Sequence, residues 1–302
     1  MNNIIHIGKV IPTKCGHSFV ITGYINNNNV IGFFIGNNTT VTTSLRSVKK
    51  MSIRHPLDIP LILEGRVYSG RYGDFYLKIY NGSGEVVVKF LETGGETKTT
   101  IKACRDGIVK DYLYPTVCGV GYMGEGYFNT TKGGNGAVDK AYKKWEAMIR
   151  RVYPTNEKDA RKYPTYKDCT ITKNWFNFQN FARWFLDNYI TLDCELDKDL
   201  LIKGNKFYSP STCTLIPKEI NTTLTKNDAG RSVLGIGVSI RASGNFRSNS
   251  KDGGCFSNSG DAFLEYKYCK EGRLKSLAEK YKTLISKEAY LALYRYKVDE
   301  AD

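Results

Sequence analysis

The feature that most constrains this chain is a duplication near its start. Gly8-Lys9-Val10 returns as Gly65-Arg66-Val67, Gly16-His17 as Gly73-Asp74, Val30 as Val87, Phe33 as Phe90 and Thr42-Thr43 as Thr99-Thr100, a spacing of 57 residues. A unit of that length buries little apolar surface alone, so each copy reads as one supersecondary element. Apolar and polar residues alternate in Phe19-Val20-Ile21 and Val30-Ile31-Gly32-Phe33, then in Phe75 to Tyr80 and Val86 to Phe90. Asn26 to Asn29 and Asn81-Gly82-Ser83-Gly84 supply turns between them, and period two with such turns predicts β-hairpins. Each copy closes on a basic segment, Arg46 to Lys50 and Lys102 to Arg105.

Beyond the repeats, Gly119 to Gly136 carries seven glycines and reads as an extended linker. It lacks the strand, Gly-rich loop, Gly-Lys-Ser/Thr and helix order of a phosphate-cradling loop. Ala141, Trp145, Met148, Ile149 and Val152 recur at helical spacing and predict a helix over 137–152. Pro154 to Pro164 reads as a polar loop, and Thr170-Ile171-Thr172 as a short strand. Asn177 is placed to cap a helix running to about Tyr189. The stretch from Leu196 to Cys213 suggests strand, turn and loop, with a helix opening near Pro217. An apolar strand over Val233 to Ile240, a turn at Ser243-Gly244 and a strand over Asn245 to Arg247 precede a helix from Asp261 to Tyr281. Ser286 is set to cap a last one.

The chain has 302 residues, enough for two or three domains, and a formal charge of +14. Residues 1–119 carry 14 Lys/Arg against 8 Asp/Glu, residues 120–230 carry 17 against 13, and residues 231–302 carry 13 against 9. The excess is spread over the whole chain, as expected when several modules meet one polyanion, with nucleic acid the obvious one. The eight cysteines (Cys15, Cys104, Cys118, Cys169, Cys194, Cys213, Cys255 and Cys269) form no C-x-x-C pair, which argues against structural zinc and for reduced thiols in a cytoplasm. The start MNNIIHIGKV lacks the charged-then-apolar order of an export signal, and no stretch approaches a membrane span.

Three blocks carry a family resemblance. The first is Trp145 to Arg151 with Pro164-Thr165-Tyr166 and Trp175 to Phe181. The second is Leu196-Asp197-Lys198-Asp199, Gly204, Tyr208-Ser209-Pro210 and Cys213. The third is Gly235 to Ser239, Ser243-Gly244, Phe256, Ala262-Phe263 and Tyr266. In this order, with Tyr72-Gly73-Asp74 in the repeats, they resemble phage HNH-like homing-endonuclease proteins with a C-terminal APETALA-type DNA-binding domain and duplicated N-terminal β modules. The short loop between Phe246 and Phe256 departs from the pattern and predicts a stunted third strand.

The resemblance implies an α+β, multi-domain chain: β modules at 1–59 and 60–118, a central HNH-like ββα-type domain with flanking helices at 119–228, and a C-terminal β-sheet-plus-helix DNA-binding domain with a terminal helix at 229–302. Double-stranded DNA is the expected partner, in an infected bacterial host cell, with no membrane involved. Phosphate contacts are expected from Arg46, Lys49, Lys50, Lys102, Arg105, Lys143, Lys144, Arg150 and Arg151, and groove contacts from Ser239, Arg241 and Arg247.

Cleavage is the open point. An HNH nuclease activates water with a His beside a metal. The histidines here, His6, His17 and His55, all lie in the repeats. One reading has Asp197 and Asp199 binding magnesium, with Asn205 or Asn221 orienting the site and Lys198 or Lys206 holding the phosphate. In the other, the two carboxylates fix a turn and the protein binds DNA without cutting it. A third reading is a phage structural or protein-interaction protein.

Overall fold

The computed structural model describes residues 6–14, 16–57, 63–82, 84–131, 133–190, 193–225, 236–250 and 253–299. Among these the chain is α+β, with small, mostly antiparallel sheets and eight α-helices. It divides into two compact units, Met1–Tyr112 and Leu113–Asp302.

The first unit holds both repeats. Strands β1 (Val10–Pro12), β2 (Ser18–Asn26), β3 (Asn29–Phe34) and β4 (Thr40–Thr43) form an antiparallel meander closed by α1 (Leu45–Lys49). The second copy builds β5 (Val67–Gly70), β6 (Gly73–Tyr80), β7 (Val86–Phe90), β8 (Glu96–Thr99) and α2 (Ile101–Arg105) in the same order. Ser44 and Thr100 cap the two helices, each side chain accepting from the N–H three residues on.

The structure corrects the repeat register. Phe19 pairs with Phe34, and Phe75 with Phe90, so from the second strand onward the copies are 56 residues apart. The spacing of 57 holds for Val10 and Val67 in the first strands, because the following turn is one residue shorter in the second copy. Val30 therefore corresponds to Val86 and not Val87, and Phe34, not Phe33, corresponds to Phe90. A one-residue slip moves a side chain to the other sheet face. Val30, Phe34, Val86, Val88 and Phe90 are buried, whereas Phe33 and Val87 sit half-exposed on the opposite face.

In the second unit α3 (Ala137–Val152) and α5 (Phe178–Asp187) pack together. Their core is aromatic: Trp145, Trp175, Phe178, Phe181 and Phe185 are fully buried, and Trp145 Nε1 donates to the Trp175 carbonyl at 2.6 Å. Asn177 accepts from the Gln179 N–H and caps α5. The stretch expected as a polar loop contains α4 (Glu157–Lys162), started by Asn156 and braced by the Glu157–Arg161 ion pair.

The glycine-rich segment is not a free linker. Tyr122 N–H donates to the Phe176 carbonyl and Phe178 N–H to the Tyr122 carbonyl. The buried Gln179 side chain donates to the Met123 and Phe128 carbonyls and accepts from the Phe128 N–H. Gly124 and Gly126 lie flush against the Asn177 and Gln179 side chains, where a Cβ would collide. These glycines serve close approach to a helix start.

Short β9 (Thr170–Ile171) pairs in parallel with β11 (Phe207–Tyr208). β10 (Cys194–Asp197) pairs antiparallel with β12 (Thr214–Pro217), and α6 (Lys218–Leu224) follows at once. A three-stranded antiparallel sheet, β13 (Val238–Ile240), β14 (Phe246–Ser248) and the two-residue β15 (Cys255–Phe256), packs on α7 (Ser259–Tyr281). The apolar strand expected over 233–240 is seen as β13; residues 233–235 lie outside the described residues. The far half of α7 and α8 (Lys287–Tyr294) bury Leu274, Leu277, Ala278 and Leu293 together with Ile216 and Ile220. One helix therefore serves both the sheet and the β12–α6 core.

Candidate functional site

The hairpin of β10 and β12 sets the floor of a cleft of about 600 Å³ in the second unit. Asp197 ends β10, and its register opposite Thr214 turns the chain into a loop over 198–206. Asp197 Oδ1 accepts from the Asp199 N–H at 2.9 Å and the Leu200 N–H at 2.6 Å, the pattern of an Asx turn. Burial pushes its carboxyl above the ordinary carboxylate range, against the pull of those two N–H groups.

Lys198 is buried and spends its ammonium inside the loop. Nζ donates to Asp199 Oδ1 and Oδ2 at 2.7 and 2.6 Å and to the Asn205 carbonyl at 2.9 Å. Asn205 donates to the Lys198 and Phe207 carbonyls and accepts from the Phe207 N–H. Together the four residues form a closed polar knot that holds the turn. The Lys198 ammonium also lies over the Tyr166 ring, 5.7 Å from its centre.

The cleft thus brings together Asp197, Asp199, Lys198, Lys206, Asn221 and Arg151. Lys206 donates to the Thr165 carbonyl at 3.1 Å. Asn205 supports the loop behind the cleft. Tyr163 and Tyr296 line it as well; they come from distant segments, and nothing in their local sequence marks them. Tyr208 is buried at its base, and burial holds its phenol far above the ordinary value.

The pair Asp197 and Asp199 does not fit a magnesium ion held by both carboxylates. Both Asp199 oxygens are within hydrogen-bond distance of Lys198, and one Asp197 oxygen is committed to backbone N–H groups, so such an ion would have to displace Lys198. Among the described residues, no group of three or more His, Cys, Asp or Glu stands ready to hold a metal. His17 and His55 lie in the first repeat, their ring centres 4.8 Å apart.

The other basic residues lie on separate elements of the two units. On α3, Lys144 pairs with Glu195 at 2.7 Å, Arg150 with Glu146 at 2.9 Å, and Lys143 bonds the Gly134 carbonyl. Arg46, Lys49 and Lys50 are exposed on α1 and its C-terminal cap, and Lys102 and Arg105 on α2, where Lys102 pairs with Asp106.

The β13–β14–β15 sheet has two unlike faces. Val238 and Ser248 are buried, and the Tyr266 ring of α7 covers Gly237. Alternation sends Ser239, Arg247 and Cys255 to the other face, and the register sets them side by side across the three strands. Ser239 Oγ donates to Asn249 Oδ1 at 2.9 Å, and Arg241, at the turn closed by Gly244, is exposed.

Comparison with family models, with characterised proteins and with solved structures finds no match for this chain. No helix among the described residues is long and apolar enough to cross a membrane.

Proposed function

We propose that this chain is a double-stranded DNA-binding protein that holds its target without cutting it. The carrying observation is the cross-strand row Ser239–Arg247–Cys255, open on the sheet face opposite α7 and flanked by Arg241. A small sheet of this kind enters a major groove, and an arginine on it can read guanine through two hydrogen bonds. The net charge of +14 supplies the sequence-independent attraction to phosphate. The β10–β12–α6 order supports descent from an HNH-like ββα element, and the polar knot of Asp197, Lys198, Asp199 and Asn205 supports the reading in which these residues hold a turn.

Two measurements test this. Fluorescence anisotropy with labelled duplexes over a range of KCl is expected to show binding that weakens steeply with salt. Arg247→Ala should cost roughly tenfold on the preferred duplex, about 1–3 kcal/mol, whereas Arg105→Ala should weaken all duplexes alike. No shift on any duplex at low salt overturns the proposal. A plasmid-nicking assay with magnesium is expected to leave supercoiled DNA intact. Nicking that disappears in both Asp197→Ala and Asp199→Ala would restore the endonuclease reading.

A further inference from the structure

At the cleft the polar knot engages Asp197, Lys198 and Asp199, Glu195 pairs with Lys144, and Lys206 bonds the Thr165 carbonyl, but the side chains of Arg151 and Asn221 are left over. Arg151 leaves the last turn of α3 half-buried, with its guanidinium over the Tyr166 ring at 5.8 Å. Among the described residues it has no ion-pair or hydrogen-bond partner, whereas its neighbour Arg150 is held by Glu146. Asn221 projects from α6. Its backbone carbonyl accepts from the Thr225 N–H and hydroxyl, but its side-chain amide makes no hydrogen bond with a described residue.

Each leftover has a definite appetite. A guanidinium drawn partly out of water and stacked on a ring favours an anion that can take two parallel N–H bonds, a phosphate above all. A carboxamide offers one acceptor and two donors in a plane, which matches the edge of a heterocyclic base. The space between them, walled by Leu224, Tyr163 and Tyr296, falls in the size range of small-molecule pockets.

We propose that this cleft binds a single nucleotide, its phosphate on Arg151 and an edge of its base on Asn221. The nucleotide arrives either free or as an unpaired residue of a strand. Asp197 lies in the same cleft, with one of its carboxyl oxygens held by the Asp199 and Leu200 N–H groups. This site stands independently of the β13–β15 face, so duplex binding can fail without touching it.

Isothermal titration of the full chain with dAMP, dGMP, dCMP and dTMP, beside inorganic phosphate, tests the proposal. At least one nucleotide is expected to bind one-to-one and more tightly than phosphate. Arg151→Gln should weaken every nucleotide by roughly tenfold or more, the usual cost of a lost charged hydrogen bond. Asn221→Ala should reorder the four bases while leaving phosphate binding unchanged. Because Arg151 packs on Tyr166, the melting temperature of Arg151→Gln is recorded alongside; should that variant unfold, Asn221→Ala carries the test alone. Failure of all four nucleotides to bind, phosphate binding as tightly as each of them, or unaltered base preference in Asn221→Ala overturns it. Competition by a short single strand, set against the same strand fully paired, tells a strand-borne nucleotide from a free one. Arg247→Ala is expected to leave nucleotide binding unchanged.

Discussion

The Thr93 hydroxyl donates to the buried Asp111 carboxylate at 2.5 Å, tying the β7–β8 turn to the segment after α2. The first repeat has the same tie in other residues: Asn37 Nδ2 and His55 Nε2 lie 2.8 Å apart, 56 residues earlier on both sides. Each turn residue also accepts from a backbone N–H two positions on, Thr39 or Gly95. The position is kept while its chemistry changes. Thr93→Val is expected to strip Asp111 of this donor and cost about 1–3 kcal/mol in urea unfolding. An unchanged midpoint would show that the tie does not hold the module.

Gln179 pins the glycine-rich segment through three hydrogen bonds to Met123 and Phe128. Gln179→Ala should cost about 2–4 kcal/mol at roughly 1 kcal/mol per bond plus desolvated carbonyls. It should also open residues 119–136 to limited proteolysis before global unfolding. Equal cleavage of variant and parent would count against the docking of this segment.

Two carboxylates should give opposite pH signatures. Burial alone raises Glu271, but the bonds from Lys297 at 2.9 Å and the Val298 N–H at 3.0 Å bring it below the ordinary value. A lowered folded-state pKa stabilises above the unfolded pKa and is lost as pH falls through the folded one. Glu271→Gln is therefore expected to destabilise at pH 7, by about 1–2 kcal/mol for the lost charged bonds, with the gap closing in acid. Asp197 is raised, so its ionisation opposes folding as pH climbs through the folded-state value. Asp197→Asn should gain on the parent chain from about pH 4 upward. Denaturation midpoints across pH 3–8 read both signs.

Thiol reactivity should divide by burial. Burial pushes Cys213 up to about 12 and raises Cys104, Cys169 and Cys194, so few thiolates form there. Cys255 is exposed on the outward sheet face. In the native protein maleimide is expected to modify Cys255 before the four buried thiols, which react only in denaturant. Rapid native labelling of Cys213 would contradict its burial.

Periodicity carries information about faces, and here it marked the long helices and the strands but not the short helices α1, α2 and α4. The helix over 137–152, the Asn177 and Ser286 caps and the β-hairpins of both repeats are legible from residue spacing, because side-chain periodicity and capping are local. The repeat register was not: a one-residue difference in the first turn is invisible in a list of matching letters, and only strand pairing shows which phenylalanines share a core. The glycine-rich segment misleads for the same reason, since its partner Gln179 lies about fifty residues away. Asp197 and Asp199 look like metal ligands in sequence; the fold brings Lys198 and Asn205 onto the same loop and spends them there. Sequence determined the longer elements and the basic character of this protein. Tertiary structure decided which polar groups are consumed by the fold and which, like Arg151 and Asn221, are left facing open space, because hydrogen-bond satisfaction depends on neighbours in space and not on order along the chain.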